Sequence, residues 1–222
     1  MPVFHTDTFL HNLFSYDYAA ATGTTVWISL AAMALGLVIG TLIAIGLISR
    51  SMILRVVLRG YVELFRNTPV LVQIVWFYYV LPMVFGFQLG ALGAGILALG
   101  LNASAYIAEI IRGGIVGLPV GQMEAARSLG MSYWQAMGKV ILPQTARRMI
   151  APISKMFVVL IKETALVSYI GVLEILHRGD IVQVSTYKPL EAYTLVAFYY
   201  LVVITFFTWI LRRVEKRFAV VE

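Results

Sequence analysis

The stretch GQMEAARSLG at residues 121–130, continued by MSYWQAMGKVILP at 131–143, is polar and charged and lies between apolar runs long enough to span a bilayer. Good helix formers run from Gln122 to Leu129, and Gly130 stands where a glycine ends a helix. Ser132 and Gln135 have the spacing of a capping box, so a second short helix is expected, with Pro143 closing it or starting the next. The segment reads as a helix-turn-helix finger that stands out of a membrane and faces a partner.

Outward from the finger, the composition places the whole chain in the membrane. Of 222 residues, 60% are hydrophobic and 13% charged, and the mean hydropathy is +0.87. Spans of about 20 residues leave room for roughly five transmembrane helices in an all-α polytopic protein, with residues 1–222 forming one membrane domain and the loop at about 115–143 its main polar excursion. There is no cysteine, which excludes disulfides and thiolate chemistry. The net charge of +6 in such a chain records orientation rather than a nucleic-acid partner. Residues 1–22 carry Asp7 and Asp17 but no Lys or Arg, the opposite of a signal peptide's basic start.

The first span is expected over Thr24–Ile48, followed at once by Arg50, Arg55 and Arg59. Pro69–Leu81 is only 13 residues, about 20 Å as helix and too short for a core of about 30 Å. The second span must therefore borrow Tyr61–Phe65, which puts Arg66-Asn67-Thr68-Pro69 inside it and predicts a break where proline removes an N–H and frees carbonyls. Ala91–Ile111 is the third span, Ile150–Ile170 the fourth and Tyr193–Leu211 the fifth, with Gly171–Glu191 between the last two as a polar external segment. With this map the arginines and lysines collect on one side, Arg178 and Lys188 being the exceptions outside the spans. The positive-inside rule then places the N-terminus outside and the finger and C-terminus in the cytoplasm.

Three features of the spans bear on chemistry. Lys155, Lys162 and Glu163 interrupt the fourth, and an ionised group at mid-membrane costs at least about 2.5–3.5 kcal/mol unless it meets a polar cavity or a partner. Glu163 either faces such a cavity or neutralises one of the lysines. Asn102, Tyr106 and Glu109 share one face of the third span; Asn102 either lines a cavity or joins helices, and Glu109 stands one turn from Arg112 as its natural partner. Signatures of enzymes are missing. There is no phosphate-binding loop, so energy must come from another subunit, and His5, His11 and His177 lack the spacing of metal ligands. A membrane-embedded enzyme would need a paired acid and base that the chain does not offer, while an ion channel or ion-coupled carrier using Lys162 and Glu163 remains an alternative.

The finger, with Glu124-Ala125-Ala126, Gly130 and Leu142-Pro143, resembles the "EAA" loop of ABC-importer permease subunits, with Val140 where isoleucine is commoner. The stretches Phe65-Arg66-Asn67-Thr68-Pro69, Leu101-Asn102 through Glu109 and Arg112-Gly113-Gly114, and Lys162-Glu163-Thr164-Ala165-Leu166 resemble, within that group, the polar amino-acid uptake family. That resemblance covers almost the whole chain. It implies a coupling loop between spans three and four that docks ATP-binding subunits through Glu124, Ala125, Ala126, Arg127 and Gly130. It also implies a cavity for an amino acid's α-amino and α-carboxyl groups, with Asn102, Glu163, Lys162, Thr164, Val70 and Leu166 as candidate contacts. The family usually has aspartate at the place of Glu163 and serine at that of Ala165. Further implications are a second permease copy or homologous permease, an external or periplasmic binding protein, a site in the bacterial inner membrane among its lipids, and ATP and Mg held by the partner ATPase with no cofactor in this chain.

Overall fold

The computed structural model describes residues 4–218. In chain order the helices are α1 (Thr6–Leu13), α2 (Tyr16–Leu47), α3 (Met52–Asn67), α4 (Val70–Phe85), α5 (Ala91–Val116), α6 (Val120–Ser128), α7 (Tyr133–Ile170), α8 (Ile175–Thr186) and α9 (Pro189–Phe218). Three of them, α2, α5 and α9, are long and apolar enough to cross a membrane alone; the crossings number five if α3 with α4 and α7 with α8 each make one.

The core is built on α2 and α5. Neither has a hydrophobic driving force toward the other inside a bilayer, so close approach through small residues holds them. A Cβ on Gly36 would lie 3.0 Å from that of Ala103, and one on Gly40 would lie 2.7 Å from the Ser104 carbonyl oxygen. Gly36 thus meets Gly100 and Ala103 while Gly40 meets Ser104 and Ile107, so residue numbers rise together and the two helices run parallel. Two parallel helices require the chain to return between them. The α3–α4 segment is therefore a broken crossing and not a re-entrant loop, despite the 105° between its halves. Its lower half sits at one end, with Leu58 against Gly46, and reaches mid-height where Tyr61 donates to the Leu101 carbonyl at 3.1 Å.

α7 runs antiparallel to α5: Gly114 lies against Thr145 and Met149, and Gly95 against Val167. α9 descends beside α7, its Phe207 ring 5.3 Å from that of Phe157. At the end where α2 starts, α1 is pinned to α9 by the Tyr199 hydroxyl, which donates to the Leu13 carbonyl at 2.6 Å, and to the residue just before α9 by Lys188, which donates to Thr8 at 2.6 Å. Asp17 and Arg178 form an ion pair between α2 and α8.

The structure moves several expected boundaries. α2 begins at Tyr16 rather than Thr24, because Ser15 caps it by accepting from the Tyr18 N–H at 3.4 Å. The second crossing starts at Met52 rather than Tyr61, capped by Ser51. The fifth span runs from Pro189 to Phe218 rather than from Tyr193 to Leu211. Pro143 starts the next α-helical run, one of its two expected readings: it stands in the first turn of Leu142–Glu163 within α7. Its missing N–H and ring are accommodated by a π turn at Met137–Ile141, so the second arm of the finger continues into the fourth crossing as one helix.

Candidate functional site

The break between α3 and α4 follows from Pro69. Proline has no N–H to give the Phe65 carbonyl four residues back, and a carbonyl orphaned at mid-height inside a bilayer must find another donor. It finds two. The Asn102 amide of α5 donates to it at 3.0 Å, and the Gln73 amide, one turn into α4, donates at 2.9 Å. Gln73 also donates to the Thr68 hydroxyl at 2.7 Å and approaches the Thr68 carbonyl at 3.1 Å, and its own Oε1 accepts the second Asn102 proton at 3.0 Å. Both amides are buried, Asn102 to 3% and Gln73 to 7% exposure.

The remaining residues of the polar face of α5 lie below this cluster. Glu109 pairs with Arg112 at 2.8 Å, as their spacing predicts, and the Arg66 guanidinium lies over the Tyr106 ring at 5.3 Å. On the facing helix, the antiparallel register of α5 and α7 sets Glu163 within about one turn of the height of Asn102. Glu163 ends the α-helical part of α7, which tightens to a 3₁₀ turn from Thr164 to Ile170. Its Oε2 is buried and has no hydrogen-bond partner among the described residues. Neither Lys155 nor Lys162 pairs with it, so the counter-ion reading of Glu163 is not what the geometry shows. Both lysines are instead exposed on one stripe of α7 with Ala151 and Val159.

Of the other residues singled out in the sequence, Thr164 is fully buried, donating to the Ile161 carbonyl at 2.8 Å, and Val70 and Leu166 are half-buried on the two elements that flank the break. A groove of about 350 Å³ beside the break is lined by Leu64, Phe65, Thr68, Val72, Gln73, Trp76 and Phe77; Asn102 and Glu163 do not line it. Gln73 had no signal in the sequence as a lone amide in an apolar run, except that it follows the broken Thr68-Pro69 by one turn.

In the finger, Gly130 has φ +81°, the left-handed conformation expected of it, and Met131 N–H closes back on the Ala126 carbonyl at 3.2 Å. The capping box of Ser132 and Gln135 is present in both directions, at 3.3 and 2.9 Å. Glu124, Ala125 and Arg127 are exposed, whereas Ala126 is buried where α6 packs on the π turn. The tip also exposes Val120, Leu129, Tyr133 and Trp134, an apolar surface that the sequence reading passed over.

A multi-crossing helical bundle with a broken crossing at mid-height and a helix-turn-helix finger at one end has the architecture of a membrane permease subunit. Residues 36–220 match the family described as the binding-protein-dependent transport system inner membrane component, and the chain belongs to it. It is 36% identical over 194 residues to the glutamine transport system permease protein GlnP of Escherichia coli K12, covering 87% of this chain and 89% of that one. A putative glutamine transport system permease protein of Rickettsia typhi is 33% identical over 199 residues, with 90% and 91% covered. Among solved structures, an amino acid ABC transporter crystallised with histidines matches with a TM-score of 0.86 at 37% identity over 90% of this chain and 94% of that chain. The MetNI methionine transporter shares the fold, with a TM-score of 0.79 at 19% identity over 94% and 99% of the two chains. A permease of this family works with an ATPase and a substrate-binding protein and is not itself the ATPase, which removes the ion-coupled carrier as a reading of Lys162 and Glu163.

Proposed function

We propose that this chain forms the translocation path of a bacterial importer for amino acids of the glutamine class, and that the mid-height pair of Asn102 and Glu163 receives the substrate's α-ammonium group. The observation that carries the reading is the buried, unpartnered Glu163 Oε2 at the height of the broken crossing. A carboxyl group left without a partner at that depth is matched by a cation that comes and goes. The glutamine and amino acid transporters among its relatives support the substrate class. Lys162, Thr164, Val70 and Leu166 stand around the same level, and the first N–H groups of α4 at Val70 suit the substrate's carboxylate.

The stripe of α7 that exposes Lys155 and Lys162 is too polar to face lipid, so it lies against a water-filled path shared with a second copy or a homologous permease. ATP and Mg belong to the ATPase, which the finger grips through Glu124, Arg127 and the turn at Gly130. The basic residues assign the finger and C-terminus to the cytoplasm and α1 to the outside, where the binding protein delivers substrate. The test is reconstitution of the permease with its ATPase and binding protein in proteoliposomes. Uptake of labelled L-glutamine that requires internal or external ATP on the finger's side is expected; ATP-independent uptake driven by an ion gradient would refute the assignment.

A further inference from the structure

Asn102 is chemically ambiguous as a ligand, because an amide presents either a donor or an acceptor to its surroundings. The structure removes the ambiguity through Gln73. The carbonyls of Phe65 and Thr68 accept and never donate, so the Gln73 nitrogen must face them and its Oε1 must point the other way, at Asn102. That oxygen, together with the Phe65 carbonyl, takes both protons of the Asn102 nitrogen. The Thr68 hydroxyl fixes the near end of the chain: it donates to the Leu64 carbonyl at 2.8 Å and so offers only a lone pair to Gln73. Orientation is thus passed from Thr68 and Phe65 through Gln73 to Asn102 without a choice at any step, and the assignment of each amide follows from backbone carbonyls.

We infer that Gln73 is a positioning residue that helps hold Asn102 with its nitrogen on the Phe65 carbonyl and its oxygen outward, so that the ammonium end of the mid-height site offers acceptors only and selects ligands with an ammonium group. This rests on the proposed amino-acid site. Asn102 then contributes an oxygen acceptor, and Glu163, within about one turn in height, contributes another. A substrate analogue lacking the amine offers nothing to either, and leaves both unpaired. Without Gln73 the Asn102 nitrogen loses one of its two acceptors, and the Phe65 carbonyl alone is left to set the amide's orientation, which is then held less firmly.

The experiment is direct binding to the purified permease–ATPase complex in lipid nanodiscs, comparing L-glutamine with glutaramic acid, the same molecule without its α-amino group. The wild type should favour L-glutamine by at least about a hundredfold. In Gln73→Met the ratio should fall by about tenfold or more, with the midpoint of thermal unfolding and the basal ATPase rate giving the structural cost separately. Thr68→Val, which removes the hydroxyl anchor of Gln73 together with its bond to Leu64 and keeps both carbonyl acceptors, is the milder variant for the case that Gln73→Met does not assemble; its ratio should fall by about two- to fivefold. A wild type that discriminates, beside variants that lose stability or affinity for both ligands equally and keep the ratio, overturns the positioning role alone. A wild type that binds L-glutamine no better than glutaramic acid overturns the amino-acid site and this inference with it.

Discussion

Glu163 differs from Asn102 in what surrounds it. The amide is held by two acceptors on another crossing, while one carboxyl oxygen has no hydrogen-bond partner among the described residues. Substitutions at the two positions should therefore give opposite results. Glu163→Gln keeps the shape and loses the charge, so substrate stimulation of the ATPase should require about ten- to a hundredfold more substrate, the loss of about 1.5–3 kcal/mol of charge-assisted hydrogen bonding. Thermal stability should hardly change, because no lysine loses a partner, and Lys162→Met should restore nothing. Asn102→Leu should instead lower stability by about 1–3 kcal/mol, read as a shifted unfolding midpoint in detergent, since Gln73 Oε1 loses its donor inside the bundle. The sequence named Pro69, Asn102 and Glu163 as special and left two readings open for each of the latter two. What it did not contain was Gln73, whose amide partner lies 29 residues away on another helix, a distance that no local periodicity encodes.

Among the elements, the finger was the most legible, because caps and turns are local chemistry: one glycine, one serine and one glutamine set it. Gly130→Val should place a β-branched residue at φ +81°, strain the turn between α6 and α7, and abolish ATPase association while membrane insertion and expression persist. Retained coupling in that variant at normal expression would exclude the docking role. Trp134, 79% exposed at the tip, belongs to the apolar surface a partner would cover, so Trp134→Ala should weaken co-purification of the ATPase by about tenfold or more without altering the permease's own unfolding midpoint. Of the two readings of Pro143, the start of an α-helical run is the one found, but the π turn before it was not foreseen. Proline is compatible with a helix interior when a wider turn precedes it, and no residue pattern announces a π turn in advance. The broken crossing was predicted from its length and from Pro69, but the 105° between its halves depends on the amides that clamp it from α4 and α5.

For the whole molecule, hydropathy was enough to expect about five crossings, and the side on which cations gather to propose their orientation, because both express the cost of charge in the bilayer. Which helices pair was not legible: small residues at Gly36, Gly40 and Gly100 occur in many apolar runs, and only the fold shows α2 choosing α5 over its neighbour α3. The proposed orientation has a direct check in Phe14 and Arg127, both exposed and at opposite ends of the bundle. A cysteine at Phe14 should react with an impermeant thiol reagent added to intact cells, and one at Arg127 only after the membrane is opened; the reverse pattern would turn the map over.

The parallel pairing of α2 with α5 also bears on how the chain is made. A ribosome must add about 70 residues after finishing α2 before α5 is complete, about 3–14 s at about 5–20 residues per second. For that interval the glycine face of α2 has no helix to fit it, and lipid tails or the insertion machinery must cover a surface shaped for Ala103 and Ile107. Nascent chains arrested before Val116 should accordingly be degraded by membrane proteases faster than chains arrested just beyond it. Quality control of this subunit is then set by the arrival of its third crossing, with the first waiting in the membrane for a partner translated well after its neighbour.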